Sequence, residues 1–486
     1  MSADEILEKY EMTVGIECHV QLATDTKLFS GADNDERGKS PNSVVSPIDY
    51  GLPGMLPVLN RRAVDLAIIA GKALNSPIAH VSRFDRKHYF YPDLPKGYQT
   101  TQMYLPIIGA GIINVPIENG ESIDVRINHA HMEEDAGKLI HHGGYSLVDL
   151  NRSGTPLIEI VSEPDIHSSV AAKAFAIELY QLMTYAGVTR GDLYHGNMRF
   201  DVNISAALQG STELGTRSEV KNLNSFRSVG RAVEFEFRRQ VELLERGETV
   251  VQETRGWDET KQKTLPQRSK EDAQDYRYMP DADIPPIILT DDEITKIQLT
   301  VPKLPPFYRH AWQGLGLDST VINGLISSQS TALQLQRILE VAGESVARRV
   351  GIWLLMVTDN QSIGDENIEK SSFKITDDQL IELAGMVDSN ELSSTAAKEI
   401  LLEMLNRTDN PRLIATEKNL IQVSDELEIL VIVEQVLADD SSKKAVTDLK
   451  NGNDKVIGFL VGQVMKKSGG KANPAKVQQI IRKKVE

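Results

Sequence analysis

The chain has 486 residues, with 53 Lys and Arg against 69 Asp and Glu, 10 His, one Cys and a formal net charge of −16. At 41% hydrophobic and 25% charged it is not an extended disordered chain. A lone cysteine excludes an intrachain disulfide and a protein-only thiolate zinc ribbon.

The length suggests roughly three domains at about 150 residues each. Residues 1–8 are acidic and lack the basic-then-apolar order of a secretory leader. No apolar run approaches the roughly 18 residues of a membrane helix, so a cytoplasmic protein with no membrane partner is expected. The acidic balance argues against non-specific coating of nucleic acid, but leaves room for a local basic patch.

From residue 12 to about 286, turn clusters such as Gly51-Leu52-Pro53-Gly54 alternate with short period-2 runs. This predicts a β-rich region with few helices. One helix starts behind Ser168-Ser169 and stops at Ala186-Gly187. A second runs from about Ser228 to Arg246, closes at Gly247, and carries Val233, Phe237, Val241 and Leu244 at helical spacing. Beyond the proline clusters at Pro285-Pro286 and 302–306 the pattern is mostly helical, with a break near 406–410. Residues 462–486 hold seven Lys/Arg against one Glu, either a solvated helix face or a binding surface.

The chemistry-bearing residues lie on the strands. In Thr13-Val14-Gly15-Ile16-Glu17-Cys18-His19-Val20, alternation puts Val14, Ile16, Cys18 and Val20 on an apolar face and Glu17 with His19 on the other. That spacing suits shared coordination of one cation, and it turns Cys18 away from His19, against a Cys–His nucleophile. Arg199, Asp201 and Asn203 alternate with apolar residues in the same way. Glu159 interrupts an otherwise apolar strand, where a carboxylate is costly unless paired or bound to metal. Glu133-Glu134-Asp135 add three consecutive acids, and Arg217, Glu219 and Lys221 share a further face. If these strands belong to one sheet, their polar faces converge on hard oxygen ligands plus an imidazole. Such a set suits Mg²⁺ bridging to phosphates.

The phosphate-loop motif fails at Gly38-Lys39-Ser40, which has Asp33 where glycine is required. The dinucleotide fingerprint fails after Gly109-Ala110-Gly111. A nucleotide would therefore rely on metal and basic side chains.

Several stretches together resemble the GatB/GatE family, which supplies the B subunit of the aspartyl/glutamyl-tRNA(Asn/Gln) amidotransferases. They are Val14-Gly15-Ile16-Glu17-Cys18-His19-Val20, Lys87-His88-Tyr89-Phe90-Tyr91-Pro92-Asp93, His131-Met132-Glu133-Glu134-Asp135-Ala136-Gly137-Lys138, Glu219-Val220-Lys221-Asn222-Leu223-Asn224, Asp275-Tyr276-Arg277-Tyr278-Met279-Pro280 and Gly458-Phe459-Leu460-Val461-Gly462-Gln463. The resemblance implies an α+β chain: a β-rich cradle catalytic domain at 1–289, a helical domain at 290–405 and a YqeY-type tRNA-binding tail at 406–486. It implies a ligase (EC 6.3.5.-) that uses ATP to phosphorylate the side-chain carboxylate of Glu-tRNA(Gln), Asp-tRNA(Asn) or both. Ammonia from the partner amidase, the A subunit, then gives the amide, and a small C subunit completes the heterotrimer.

Carried over by motif position, Glu17, His19, Glu133, Glu134, Glu159 and Asp201 form the Mg²⁺ ligand set, with Glu134 also catalytic. Lys87 and Tyr91 fall near the ammonia exit, and Glu219, Lys221 and Asn224 in the nucleotide pocket. Many relatives carry four cysteines for a zinc; here the matching stretches read Phe29-Ser30-Gly31-Ala32-Asp33 and Ser46-Pro47-Ile48-Asp49. No structural zinc is expected, and local packing must hold that loop. The rival reading is a non-catalytic, tRNA-binding scaffold protein of that complex; a carboxylate at Glu159 argues against it. A self-sufficient glutaminase lacks both a Cys–His pair and a Ser–Lys signature.

Overall fold

The alternating segment around Gly15 forms a 12-residue strand, β1 (Tyr10–Gln21), preceded by the short helix α1 (Ala3–Lys9). The computed structural model describes residues 3–117, 120–269, 275–362, 375–422, 426–468 and 472–485. Two units are present, Met1–Phe307 and Tyr308–Glu486. The first is rich in sheet and the second is helical, a mixed α and β chain.

In the first unit, β1 is followed by helix α2 (Arg61–Ala73) and strands β2 (Val81–His88), β3 (Tyr98–Leu105), β4 (Gly111–Pro116) and β5 (Ser122–Glu134). Strands β6 (Lys138–His141), β7 (Ser146–Asp149), β8 (Pro156–Ser162), β9 (Met198–Leu208), β10 (Ser218–Leu223), β11 (Glu253–Asp258) and β12 (Lys263–Ser269) complete the main set. Eight of these form one sheet in the order β12-β11-β10-β9-β1-β8-β5-β4. Strand β1 lies at its centre, antiparallel to both β8 and β9.

The even-numbered side chains Val14, Ile16, Cys18 and Val20 are fully buried, together with Phe200, Val202 and Ile204 of β9. They pack beneath helices α3 (Ser169–Tyr185) and α4 (Phe226–Glu245), whose Phe175, Leu179, Val233 and Phe237 complete this core. Cys18 is thus a core residue, facing away from His19.

Both helices follow their capping residues. The Ser168 side chain accepts from the Ala171 amide and Ser225 from the Ser228 amide, each cap contributing about 1 kcal/mol. Gly187 and Gly247 follow the helix ends at φ +68 and +73, a conformation that favours glycine. The second helix begins two residues before the predicted Ser228 because Ser225 caps it.

With one face covered by helices, the odd-numbered polar face of the sheet carries the candidate site. Strand β2 leaves this sheet and pairs with β3 and two short strands, Met279–Pro280 and Ile287–Ile288.

In the second unit, the long helix Gln329–Ser362 is broken at Gly343, where φ is 81. Helix Pro411–Glu417 packs with Ser394–Met404 and Asp377–Asp388. The last four helices, Glu426–Leu437, Lys443–Lys450, Ile457–Lys467 and Pro474–Val485, surround a separate apolar cluster that includes Ile429, Val433, Leu460, Val464, Val477 and Ile481. Among the described residues no helix is long and apolar enough to cross a membrane.

Candidate metal and phosphate site

Strand register assembles the site. Arg199 of β9 stands opposite His19 of β1, His19 opposite Glu159 of β8, and Glu159 opposite His131 of β5. Four side chains from segments as far apart as residues 19 and 199 therefore form one row across the sheet. The next row holds Asp201, Glu17 and Val161. Glu133 lies on the same face as His131, two residues along β5.

The ligand atoms of His19, Glu133 and Glu159 all lie within 4.8 Å of one another. Nε2 of His19 is 3.4 Å from Oε2 of Glu159 and 3.5 Å from Oε1 of Glu133, while Nε2 of His131 is 3.4 Å from the same Glu159 oxygen. Burial opposes a charge on His19, but the Glu159 contact and the Glu133 charge outweigh it and raise the imidazole pKa to about 9. Burial likewise opposes the Glu159 carboxylate, and His19, His131 and Lys87 hold it well below its usual range. Without a metal the protonated His19 is the cation beside the two carboxylates; a bound metal ion would take over that role as the imidazole gives up its proton. Two oxygen donors, one imidazole and an open side fit a divalent ion that keeps water and phosphate as its other ligands.

The structure sets the remaining predicted ligands apart from this group. Glu17 lies one row away and accepts from Nδ2 of Asn203 at 3.0 Å. Its pKa is raised, first by burial and then by Glu159 and Glu219. Asp201 accepts from Nζ of Lys221 at 3.1 Å and from the Asn222 amide at 2.9 Å. Glu134 is turned to the opposite side from Glu133, because consecutive strand residues alternate. There it accepts from Lys96 and from the Thr100 amide at 2.9 Å, both carboxyl and lysine nearly buried.

Among the residues predicted for other roles, Lys87 lies 4.8 Å over the Tyr276 ring, and Glu133 raises its pKa against the effect of burial. Tyr91 and Asn224 are exposed. Lys221 bridges Asp201 and Glu219, whose other oxygen accepts from Thr254 at 2.9 Å.

Two cavities open on this face. A cleft of about 220 Å³ is lined by His19, Glu133, Arg199, Asp201 and Lys221, among others. A larger one of about 470 Å³ lies beyond Glu17, between Thr13, Asn203, Ser205 and Thr216. The first contains candidate metal ligands, and the second is roomier, with polar and apolar side chains in its lining.

Four contributors escaped prediction as site residues: His131, Arg199, Asp135 and Lys96. The first two could have been found, since each lies two residues from a chosen acid on an alternating strand. For Lys96, in a loop distant in sequence from Glu134, there was no local signal.

With that geometry in place, residues 12–295 match the GatB/GatE catalytic domain and residues 338–485 match the GatB domain. The chain is 44% identical over 485 residues to the B subunit of the aspartyl/glutamyl-tRNA(Asn/Gln) amidotransferase of Caldicellulosiruptor saccharolyticus, covering 98% of this chain and 99% of that one. It is 43% identical over 479 residues to the protein of the same name in Caldanaerobacter subterraneus subsp. tengcongensis, with 98% and 99% covered. For the Pseudomonas fluorescens protein of that name the figure is 40% over 485 residues, with 98% and 100% covered. A sheet-borne site of carboxylates and imidazole within a GatB/GatE-type catalytic domain defines the class. The chain belongs to the GatB family.

Proposed function

We propose that this chain is the catalytic B subunit of a glutamine-dependent tRNA amidotransferase (EC 6.3.5.-) in the cytoplasm. Its work is to activate and amidate the side-chain carboxylate of Glu-tRNA(Gln), Asp-tRNA(Asn) or both. The observation that carries this reading is the row Arg199–His19–Glu159–His131, with Glu133 beside it, where two carboxylates and an imidazole meet next to an open cleft that Arg199 and Lys221 also line. The names of the relatives support the same reading.

A carboxylate is a poor acyl donor, because oxide is a poor leaving group. Its oxygen attacks the γ-phosphorus of ATP; the bond to the β-phosphate oxygen breaks, and ADP leaves with the electron pair. The nitrogen lone pair of ammonia then attacks the acyl carbon. Phosphate leaves with the C–O electron pair and takes up the proton that nitrogen loses, leaving the amide.

Charge on the transferring group must be neutralised in a site that excludes water. Mg²⁺ held by His19, Glu133 and Glu159 would supply part of that neutralisation. Glu17 and Asp201 flank this set, and Glu134 anchors Lys96. The 470 Å³ cavity has room for the nucleoside; Lys221 lines the smaller cleft and pairs with Glu219, and these two with Asn224 serve nucleotide binding. Ammonia made by the amidase, the A subunit of a complex completed by a small C subunit, enters past Lys87 and Tyr91. The tail at 406–486 contacts tRNA.

The test is reconstitution of the full chain with the amidase and the small third protein, followed by assay with each misacylated tRNA. His19→Ala is expected to abolish ATP hydrolysis dependent on misacylated tRNA and to leave glutaminase activity of the partner intact. Full transamidation by that variant would refute the site.

A further inference from the structure

The Arg199 guanidinium faces the same cleft as His19 and Glu133. Its Nη2 donates to both oxygens of Asp135 at 3.1 Å, while Nε and Nη1 make no hydrogen bond among the described residues. Asp135 is shared: Nε and Nη2 of Arg152 donate to the same carboxylate at 3.0 and 2.9 Å. Asp135 is thus shared by two guanidinium groups; Arg152 has a second counter-charge in Glu36 at 3.3 Å, and the unspent donors at the cleft wall are those of Arg199.

The other cations near the cleft are committed. Lys221 is divided between Asp201 and Glu219, and Lys96 belongs to Glu134. Lys87 rests over Tyr276 and does not line the cleft.

We propose that Arg199 is a catalytic anion clamp. Anchored through Nη2 by Asp135, it offers Nη1–H to an oxygen of the phosphoryl group in flight, beside His19 in the same cross-strand row. The assignment rests on the ATP chemistry proposed above. Phosphoryl transfer spreads charge over equatorial oxygens, and a planar guanidinium held at one nitrogen by Asp135 keeps another nitrogen aimed at them, whereas an ammonium has a single nitrogen for both tasks. Because its donors are unspent before the anion arrives, the clamp needs no ion pair to break.

The test uses the full chain assembled with its partner proteins. It compares the affinity of Mg²⁺·ADP alone with that of Mg²⁺·ADP plus aluminium fluoride, a mimic of the transferring phosphoryl group. Arg199→Lys keeps the charge and removes the second nitrogen, so that anchoring to Asp135 and donating to the anion compete. The variant should bind Mg²⁺·ADP within about threefold of wild type and lose about 10²-fold of the fluoride-dependent tightening. Its melting temperature should stay close to wild type.

Three results overturn the proposal. Tightening that survives in Arg199→Lys removes the clamp and leaves the ATP reading standing. A drop in melting temperature with an equal loss of both affinities reduces Arg199 to a structural partner of Asp135. Absence of tightening in wild type removes the ATP reading and the clamp with it.

Discussion

His19 and Glu159 are direct cross-strand partners on β1 and β8, with Nε2 and Oε2 3.4 Å apart and Glu133 completing a three-residue group. Replacing Glu159 by Gln keeps the shape and removes one anionic ligand. Mn²⁺ or Mg²⁺ affinity measured by calorimetry should fall by about tenfold or more, the scale on which even outer partners of metal sites act. Unaltered affinity would show that no ion is held there.

Glu133 and Glu134 are neighbours in sequence with opposite surroundings, so the same substitution should have opposite effects. Glu133→Gln should weaken metal binding and leave urea unfolding little changed. Glu134→Gln should leave metal affinity intact, yet strand Lys96 without its partner, at a cost of about 3 kcal/mol by urea denaturation. If Glu134→Gln instead removes metal binding at unchanged stability, the assignment of the two acids is reversed.

That pair also marks how far the sequence could be read. Alternation in Thr13–Val20 correctly put Glu17 and His19 opposite Cys18, and the caps at Ser168 and Gly187 located a helix within a residue. Applied to β5, the same rule says that Glu133 and Glu134 face opposite ways, but not which one faces His19. The β5–β8 register decides it, pairing His131 with Glu159, and nothing local in the sequence encodes that pairing. The β9-β1-β8-β5 order is non-local for the same reason. It brings Arg199 opposite His19 across a separation that no motif spacing reports.

The loop that lacks the expected cysteines is held by a buried polar knot. The fully buried Lys27 places Nζ 3.4 Å from Oδ2 of Asp49 and donates to the Ser153 carbonyl at 2.6 Å. Ser30 and the Ser46 amide donate to the same Asp49 oxygen, at 3.1 and 2.8 Å. Asp49→Ala leaves a buried ammonium without its counter-ion and should cost about 3 kcal/mol by urea unfolding. Adding a zinc chelator to wild type should leave its melting curve unmoved. A chelator-sensitive curve would mean that metal, rather than the knot, holds this loop.

The basic tail offers the last test. Helices Ile457–Lys467 and Pro474–Val485 both carry lysines in their last turns, and Lys466, Lys467 and Lys483 are exposed, away from the apolar cluster that holds the helices together. Arg482 and Lys484 pair with Asp454 and Glu434, so they are poorer choices for a clean experiment. Changing Lys466, Lys467 and Lys483 together to Ser should spare folding and weaken tRNA binding. Each lysine–phosphate interaction removed should flatten the dependence of log K on log salt by about 0.7 to 0.9. The weakening should be similar for different tRNAs, because interactions with phosphate carry no base information. Equal affinity and equal slope for variant and wild type across a salt series would reduce these lysines to a solubilising surface.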